Sequence, residues 1–329
     1  MKPEDLLHNW SIKALNIKKA PSGLLNKTFL LTVGDELYVL QCVHPAVSMD
    51  GAMNNYFHVT QFLEEQGITT QLVVPTTSGK LWIEDEETTG WRWRLLKGVK
   101  GEVYDQTNNV KLAHEAGKYL GYLDKMLQKY PKPLEEGRKS FRYTEQIEKL
   151  SKYQDQFSKS DDPKIREAGL LLHTQLPLLM LPEDLPKKNI HADPKISNFV
   201  FSNEGEVVCM IDFDTLQNYS PLFEIADAVR SWFGGDEADP NNTFNEAIYK
   251  SFLEGYLTNS KGLLSEREQS LISQACKLVM LGLASRFLID YIEDSYFGWD
   301  ETKYNSRKDH NEARALGQIS LYQSYIKSI

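Results

Sequence analysis

Apolar and polar positions change rhythm once along this chain. Residues 28–33 and 37–43 are apolar, β-rich runs separated by Gly34-Asp35-Glu36, and they predict a hairpin. A turn-rich loop, Ala20 to Lys27, precedes it. Met53, Phe57 and Leu63 recur at helical spacing over 52–66, and Gly67 stops the run. Further strands are expected at 70–75, 80–84 and 91–96, the last alternating like a half-buried strand. Gly98 and Gly101 then suggest a linker. Beyond residue 108 the period becomes helical. Leu112, Ala116, Leu120, Leu123 and Leu127 form a stripe, and Gly117 and Gly121 allow close packing on its flank. The stretch 131–188 is charged, with helical patches. Residues 198–214 read as two short strands joined at Asn203-Glu204-Gly205, and the last third as helices. The clearest helix spans 266–294, opened by the capping-box pair Ser265 and Glu268. The expected class is α+β and two-lobed: a β-rich lobe over 1–97 and a helical lobe over 98–329.

Composition narrows the function. Hydrophobic residues make up 41% and charged residues 25%, a globular balance that argues against disorder. The net charge of -9 lacks the basic footprint of a general nucleic-acid binder. Cys42, Cys209 and Cys276 are far apart, so neither a disulfide framework nor a structural zinc site is expected. No apolar signal core opens the chain, and no uninterrupted apolar run reaches bilayer length. The expectation is a cytoplasmic protein without a membrane partner.

One stretch carries chemistry. His191, Asp193 and Asn198 form an H-x-D-x-x-x-x-N loop, and Asp212 closes an apolar strand fourteen positions after Asn198. The order matches the catalytic apparatus of eukaryotic-like kinases. Phosphoryl transfer needs a carboxylate beside the acceptor hydroxyl, and Asp193 is the candidate. It also needs hard oxygen ligands for Mg2+, which Asn198 and Asp212 offer, with Asp214 as a second metal or substrate ligand. His191 is expected to brace the loop, and Lys195 to approach the transferred phosphate.

The run Ile211-Asp212-Phe213, followed by Ser220-Pro221-Leu222-Phe223-Glu224-Ile225-Ala226-Asp227, resembles the aminoglycoside phosphotransferase superfamily. Closer still is a resemblance to its N-acetylhexosamine 1-kinases. It is carried by Asn26-Lys27-Thr28-Phe29, Tyr38-Val39-Leu40-Gln41, Asp193 to Asn198, Asp212-Phe213-Asp214-Thr215, Asp227-Ala228-Val229-Arg230, Arg286 to Tyr291 with Tyr296-Phe297, and Ala313 to Ile319. The resemblance implies the two-lobed protein-kinase-like fold and an ATP- and Mg2+-dependent kinase. The acceptor it implies is a small molecule, the anomeric hydroxyl of a sugar or amino sugar such as an N-acetylhexosamine. It assigns Asp193 as base and Asn198 and Asp212 as metal ligands, and it sets Asp214, Arg230, Arg286 and Tyr296 near the sugar. Asn26, Lys27, Thr28 and Gln41 would attend the nucleotide, which would lie between the lobes near the linker that begins at Lys97.

Two positions depart from the wider superfamily. Gln41 stands where many relatives carry a strand lysine, and Asn54 and Asn55 where a helix glutamate is expected. The sugar kinases share the glutamine, and Lys27 or Lys195 are candidates to supply the charge. The alternatives are an aminoglycoside, choline or another amino alcohol as acceptor, or a catalytically silent scaffold. Arg286 and Asp290, four apart on a helix, can also be a plain surface pair.

Overall fold

The computed structural model describes residues 2–20, 26–137 and 141–329. In chain order the elements are α1 (Pro3–Leu6), β1 (Asn16–Lys19), β2 (Lys27–Val33), β3 (Glu36–Val43), α2 (Asp50–Glu65), β4 (Val73–Val74), β5 (Ile83–Glu84) and β6 (Arg92–Lys97). Then come α3 (Val110–Leu127), α4 (Tyr143–Ser158), α5 (Pro163–Gln175), β7 (Lys188–Ile190), β8 (Phe199–Phe201), β9 (Val207–Met210) and β10 (Gln217–Tyr219). The chain closes with α6 (Pro221–Trp232), α7 (Glu246–Asn259), α8 (Glu266–Ser270), α9 (Ile272–Glu293) and α10 (Arg307–Ser328). This is the expected α+β kinase-like class, a small antiparallel-sheet lobe and a larger helical one.

Two compact units emerge. One comprises Met1–Val103, Met126–Lys139 and Asn198–Asn218, and the other holds the remainder. Beside the expected division at 97/98, these units interleave along the chain.

The first unit is built on a sheet ordered β1-β2-β3-β6-β4, with β5 also on β6 and every pairing antiparallel. Strand β3 is central and buried on both faces, which is why it reads as a nearly continuous apolar run. Leu40 and Cys42 join Leu31, Trp93, Leu95, Leu6, Leu7 and Trp10 on one face. On the other, Val43 meets Val47 and Met53 of α2. The expected 70–75 and 80–84 strands shrink to two residues each, and both pair along the one strand β6, β4 at Leu95–Leu96 and β5 at Arg92–Trp93. The linker glycines are also close-packing positions. A Cβ on Gly101 would strike Val200 and the Phe201 carbonyl, where Glu102 and Phe201 exchange two backbone bonds of 2.8 Å.

In the second unit α9 packs along α10 and α6. It is long and apolar enough to cross a membrane by length and composition, and most of it is buried among other helices. The expected helix over 266–294 is broken at Leu271 into α8 and α9, and the Ser265–Glu268 capping box opens α8 as expected. The glycines of α3 face α7. A Cβ on Gly117 would meet the Phe252 carbonyl, and one on Gly255 the His114 carbonyl. All three cysteines are buried free thiols.

Candidate functional site

The HxD loop belongs to the helical unit. Its middle residue, Ala192, is left-handed at φ 67, a conformation that costs a non-glycine residue ~1–2 kcal/mol. The compensation comes from Glu224 of α6. Its fully buried carboxylate accepts the backbone N–H groups of His191 at 3.1 Å and Ala192 at 3.4 Å. Trp232 Nε1 donates to the Pro194 carbonyl at 3.0 Å and fixes the far side. His191 Nδ1 accepts the Asp193 N–H at 3.3 Å.

Asp193 thereby presents its carboxylate to Lys195, Oδ2 to Nζ 2.9 Å. Burial works to raise the Asp193 pKa, but Lys195, His191 and Arg230 together outweigh it and hold the carboxyl below its ordinary range. It is therefore an anion at neutral pH, suited to orienting a hydroxyl and taking its proton late. Arg230 Nε binds Asp227 Oδ1 at 2.7 Å. Burial and the neighbouring Asp193 raise the pKa of Asp227 despite that partner.

Asn198 and Asp212 belong to the sheet-rich unit, at one end of the β8–β9 hairpin. Phe199 pairs Met210, and the Ile211 N–H donates to the Asn198 carbonyl at 2.8 Å, so the two residues flank one rung. Asp212 is left-handed at φ 68, ψ 57, which turns the chain at the strand end. An amide oxygen and a carboxylate at one hairpin end suit Mg2+, which binds one or two protein oxygens and completes its shell with phosphate and water. Among the described residues no group of three His, Cys, Asp or Glu is arranged for a metal.

The nucleotide candidates divide by sheet face. Thr28 stands opposite Gln41, and Gln41 opposite Arg94, in one row across β2, β3 and β6. Arg94 was not singled out from sequence. Its side chain is 1% exposed, and it donates Nε and Nη2 to Gln41 Oε1 at 3.0 and 2.7 Å. Its Nη1 and Nη2 grip Asp214 Oδ1 and Oδ2 at 2.6 and 2.9 Å. The ring of Tyr56 on α2 lies 4.1 Å from the guanidinium. Asn26 Nδ2 donates to Asp214 Oδ2 at 3.3 Å while its Oδ1 accepts the His44 N–H. Both oxygens of Asp214, expected as a second metal or substrate ligand, are thus engaged by Arg94 and Asn26. Lys27 pairs in register with Cys42, on the opposite face, and its ammonium sits 4.8 Å from the Trp91 ring. Lys97 shares that face and is exposed. Asn54 and Asn55 secure Glu135. Asn55 exchanges two 2.9 Å bonds with its backbone, and Asn54 reaches its carboxylate.

Arg286 and Tyr296 do come together. Both line a cavity of about 230 Å³ in the helical unit, with Arg142, Lys149 and Glu293. The Arg286 guanidinium lies 5.8 Å from the Tyr296 ring and 5.2 Å from Phe297. Asp290 is no surface partner of Arg286. Buried at 3% exposure, it accepts the N–H groups of Ser295, Tyr296 and Phe297 and the Asn311 amide. Tyr143 feels both Arg286 and Arg230. Its phenol is pushed up by burial first and then by Asp227, while Arg286 and Arg230 pull it down.

Comparison with known proteins gives this geometry a lineage. A family model described as a phosphotransferase enzyme family matches residues 16–257. Acyl-CoA dehydrogenase family member 11 of Gallus gallus is 24% identical over 231 residues, 67% of this chain and 28% of its own, so the chain spans under a third of that relative. A homoserine kinase of Caulobacter vibrioides is 24% identical over 299 residues, 88% of this chain and 86% of its own. Among solved structures, a microcompartment-associated aminopropanol kinase has a TM-score of 0.70 at 17% identity, covering 99% of this chain and 97% of its own. An amicoumacin kinase in complex with AMP-PNP, Ca2+ and Ami has a TM-score of 0.64 at 17% identity, covering 96% and 91%. At such identities the structural likenesses establish the fold. The family match spans well over half of the sequence, and on it the chain belongs to the phosphotransferase enzyme family.

Proposed function

We propose that this protein transfers the γ-phosphoryl group of ATP to a hydroxyl of a small molecule, the anomeric hydroxyl of an N-acetylhexosamine being the preferred acceptor. The acceptor oxygen forms a bond to the γ-phosphorus as the bond to the bridging oxygen breaks and ADP leaves. Asp193 orients the hydroxyl and receives its proton. Lys195 offers its charge to the transferring oxygens. Asn198 and Asp212 would hold Mg2+, which supplies charge neutralisation to the phosphates. Asn26, Thr28 and Gln41 attend the nucleotide in the sheet-rich unit. Alignment and fixed charge supply most of the rate.

The observation that carries the reading is the strained loop at Ala192, held on Glu224, which presents an anionic Asp193 to Lys195. Support for a neutral, hydroxyl-rich acceptor comes from the cavity lined by Arg286 and Tyr296. Its carboxylates already have partners. Glu293 takes Lys149 and Tyr153, both at 2.8 Å, and Asp290 takes backbone N–H groups. A cationic acceptor calls for uncompensated carboxylates instead. The second reading, a small amino alcohol, draws on the homoserine kinase and aminopropanol kinase likenesses.

The test is turnover of ATP with hexosamines, homoserine, aminopropanol, choline and aminoglycosides in parallel. Phosphorylation of an amino alcohol with no turnover of any sugar rejects the preferred acceptor. In the same assay Asp193→Asn is expected to keep its fold and nucleotide affinity while losing ~10²–10⁴-fold in turnover, the usual worth of general-base help. Full activity in that variant removes Asp193 from the mechanism.

A further inference from the structure

Asp212 keeps a left-handed backbone, φ 68 and ψ 57, where the β8–β9 hairpin ends. A non-glycine residue holds that conformation only where its surroundings enforce it. On its N-terminal side the enforcement is a hairpin rung, the Ile211 N–H donating to the Asn198 carbonyl at 2.8 Å. On its C-terminal side the chain makes one short 3₁₀ turn, Phe213–Thr215. A turn of that length has too few internal bonds to fix its own orientation.

Side chains fix it instead. Phe213 is fully buried, its ring 6.0 Å from the ring of Tyr56 on α2. Asp214, 4% exposed, is gripped by Arg94 through two oxygens at 2.6 and 2.9 Å and by Asn26 at 3.3 Å. Arg94 is held in turn by two bonds to Gln41 Oε1 on the central strand and by the Tyr56 ring, 4.1 Å from its guanidinium. One arginine thereby ties the turn after Asp212 to β3, β6 and α2.

The same contacts disfavour Asp214 as a metal ligand. A cation on it would share the carboxylate with a buried guanidinium of like charge. Mg2+ also completes its shell with water and phosphate oxygens, for which a carboxylate enclosed by Arg94 and Asn26 leaves little room.

We propose that Arg94 is a positioning residue for the metal site: through Asp214, which acts as anchor and not as ligand, it holds the turn that keeps Asp212 beside Asn198. The inference rests on the proposed nucleotide and metal chemistry and changes the part that the second aspartate plays in it.

Mn2+ takes the same oxygen ligands as Mg2+ and is read by electron paramagnetic resonance. Two affinities are measured on the full chain, ADP in the presence of EDTA and Mn2+ on the ADP-saturated protein, with thermal unfolding as control. Arg94→Lys keeps the charge and reduces the two-point grip to one. The variant is expected to fold, to keep the metal-free ADP affinity of the parent, and to bind Mn2+ ~10–100-fold more weakly, the usual cost of losing a group that orients a ligand. A ligand role for Asp214 predicts the opposite sign, because a loosened arginine frees its carboxylate for the cation. Tighter Mn2+ binding therefore overturns the inference, and so does unchanged Mn2+ binding. Equal weakening of metal-free ADP and of Mn2+ marks general loosening and overturns it too. If Arg94→Lys does not fold, Arg94→Met with Asp214→Leu carries the test, since it removes both buried charges together. It is expected to lose Mn2+ affinity likewise, and parent-like Mn2+ binding in it overturns the inference. If the parent itself binds no ADP, the underlying kinase reading fails before Arg94 is tested.

Discussion

Arg94 and Asp214 meet as a two-point ion pair, Nη1 to Oδ1 at 2.6 Å and Nη2 to Oδ2 at 2.9 Å, with side chains 1% and 3% exposed. They are 120 positions apart in sequence. The pair therefore ties strand β6 to the turn that follows Asp212. Two parallel N–H bonds define angle as well as distance, so the carboxylate fixes the rotamer of the arginine that faces Gln41.

Removing one partner is expected to be costlier than removing both. Arg94→Met leaves an unpaired buried carboxylate and should destabilise the protein by ~3–5 kcal/mol, whereas Arg94→Met with Asp214→Leu should recover a large part of that loss. Urea unfolding of Arg94→Met, Asp214→Leu and the double variant checks this. If the double variant is as unstable as the sum of the two single ones, the pair is not the coupled unit described.

The second expectation concerns pH. Glu224 and Asp124 are fully buried and share a hydrogen bond, and Tyr256 donates to Asp124 at 2.6 Å. Burial pushes Asp124 up to about 7, with Tyr256, Glu224 and Lys188 pulling the other way. Glu224 is raised well above its ordinary value, by burial first and then by the Asp124 charge. Both folded values lie above the unfolded ones, so the pair binds protons on folding. The stability it contributes is complete below the ordinary carboxyl range, and the part carried by Asp124 is lost as pH rises through about 7. Glu224→Gln keeps an acceptor for the His191 and Ala192 N–H groups and gives Asp124 a permanent donor. The parent should lose stability between about pH 4 and 7, and the variant should lose distinctly less over that range. Parallel slopes in thermal unfolding at stepped pH would remove the pair from the titration.

Much of this was legible because period and motif agree. The β2–β3 hairpin, α2, the α3 stripe and the β8–β9 hairpin follow from local patterns, and the Asn198–Asp212 proximity follows from the hairpin. Arg94 was hidden because a charged residue in an alternating strand reads as solvent-facing. Its placement depends on register with Gln41 and on Asp214, which no local pattern contains. The available signal was that Arg92 and Arg94 share the phase of the buried Leu96. Glu224 had a clearer mark, a lone carboxylate surrounded by Leu222, Phe223, Ile225 and Ala226. The break at Leu271 was illegible because the apolar spacing runs through it.

The third expectation separates acceptor from nucleotide. Asp290 closes the turn after α9 by accepting three successive N–H groups, at 3.0, 2.9 and 3.0 Å, and the Asn311 amide at 2.8 Å. That turn carries Tyr296 to the cavity it lines with Arg286. Asp290→Ala leaves these donors unsatisfied, at ~1–3 kcal/mol for each one that stays buried, and releases Tyr296. If the cavity receives the acceptor, the variant should raise the acceptor KM severalfold at temperatures where it remains folded, with the ATP KM unchanged and kcat lowered less than twofold. Nothing in the Gln41–Arg94–Asp214 row depends on this turn, so the nucleotide side has no reason to respond. A parallel rise in both KM values would point to general loosening of the protein, and an unchanged acceptor KM in a folded variant would detach this cavity from acceptor binding.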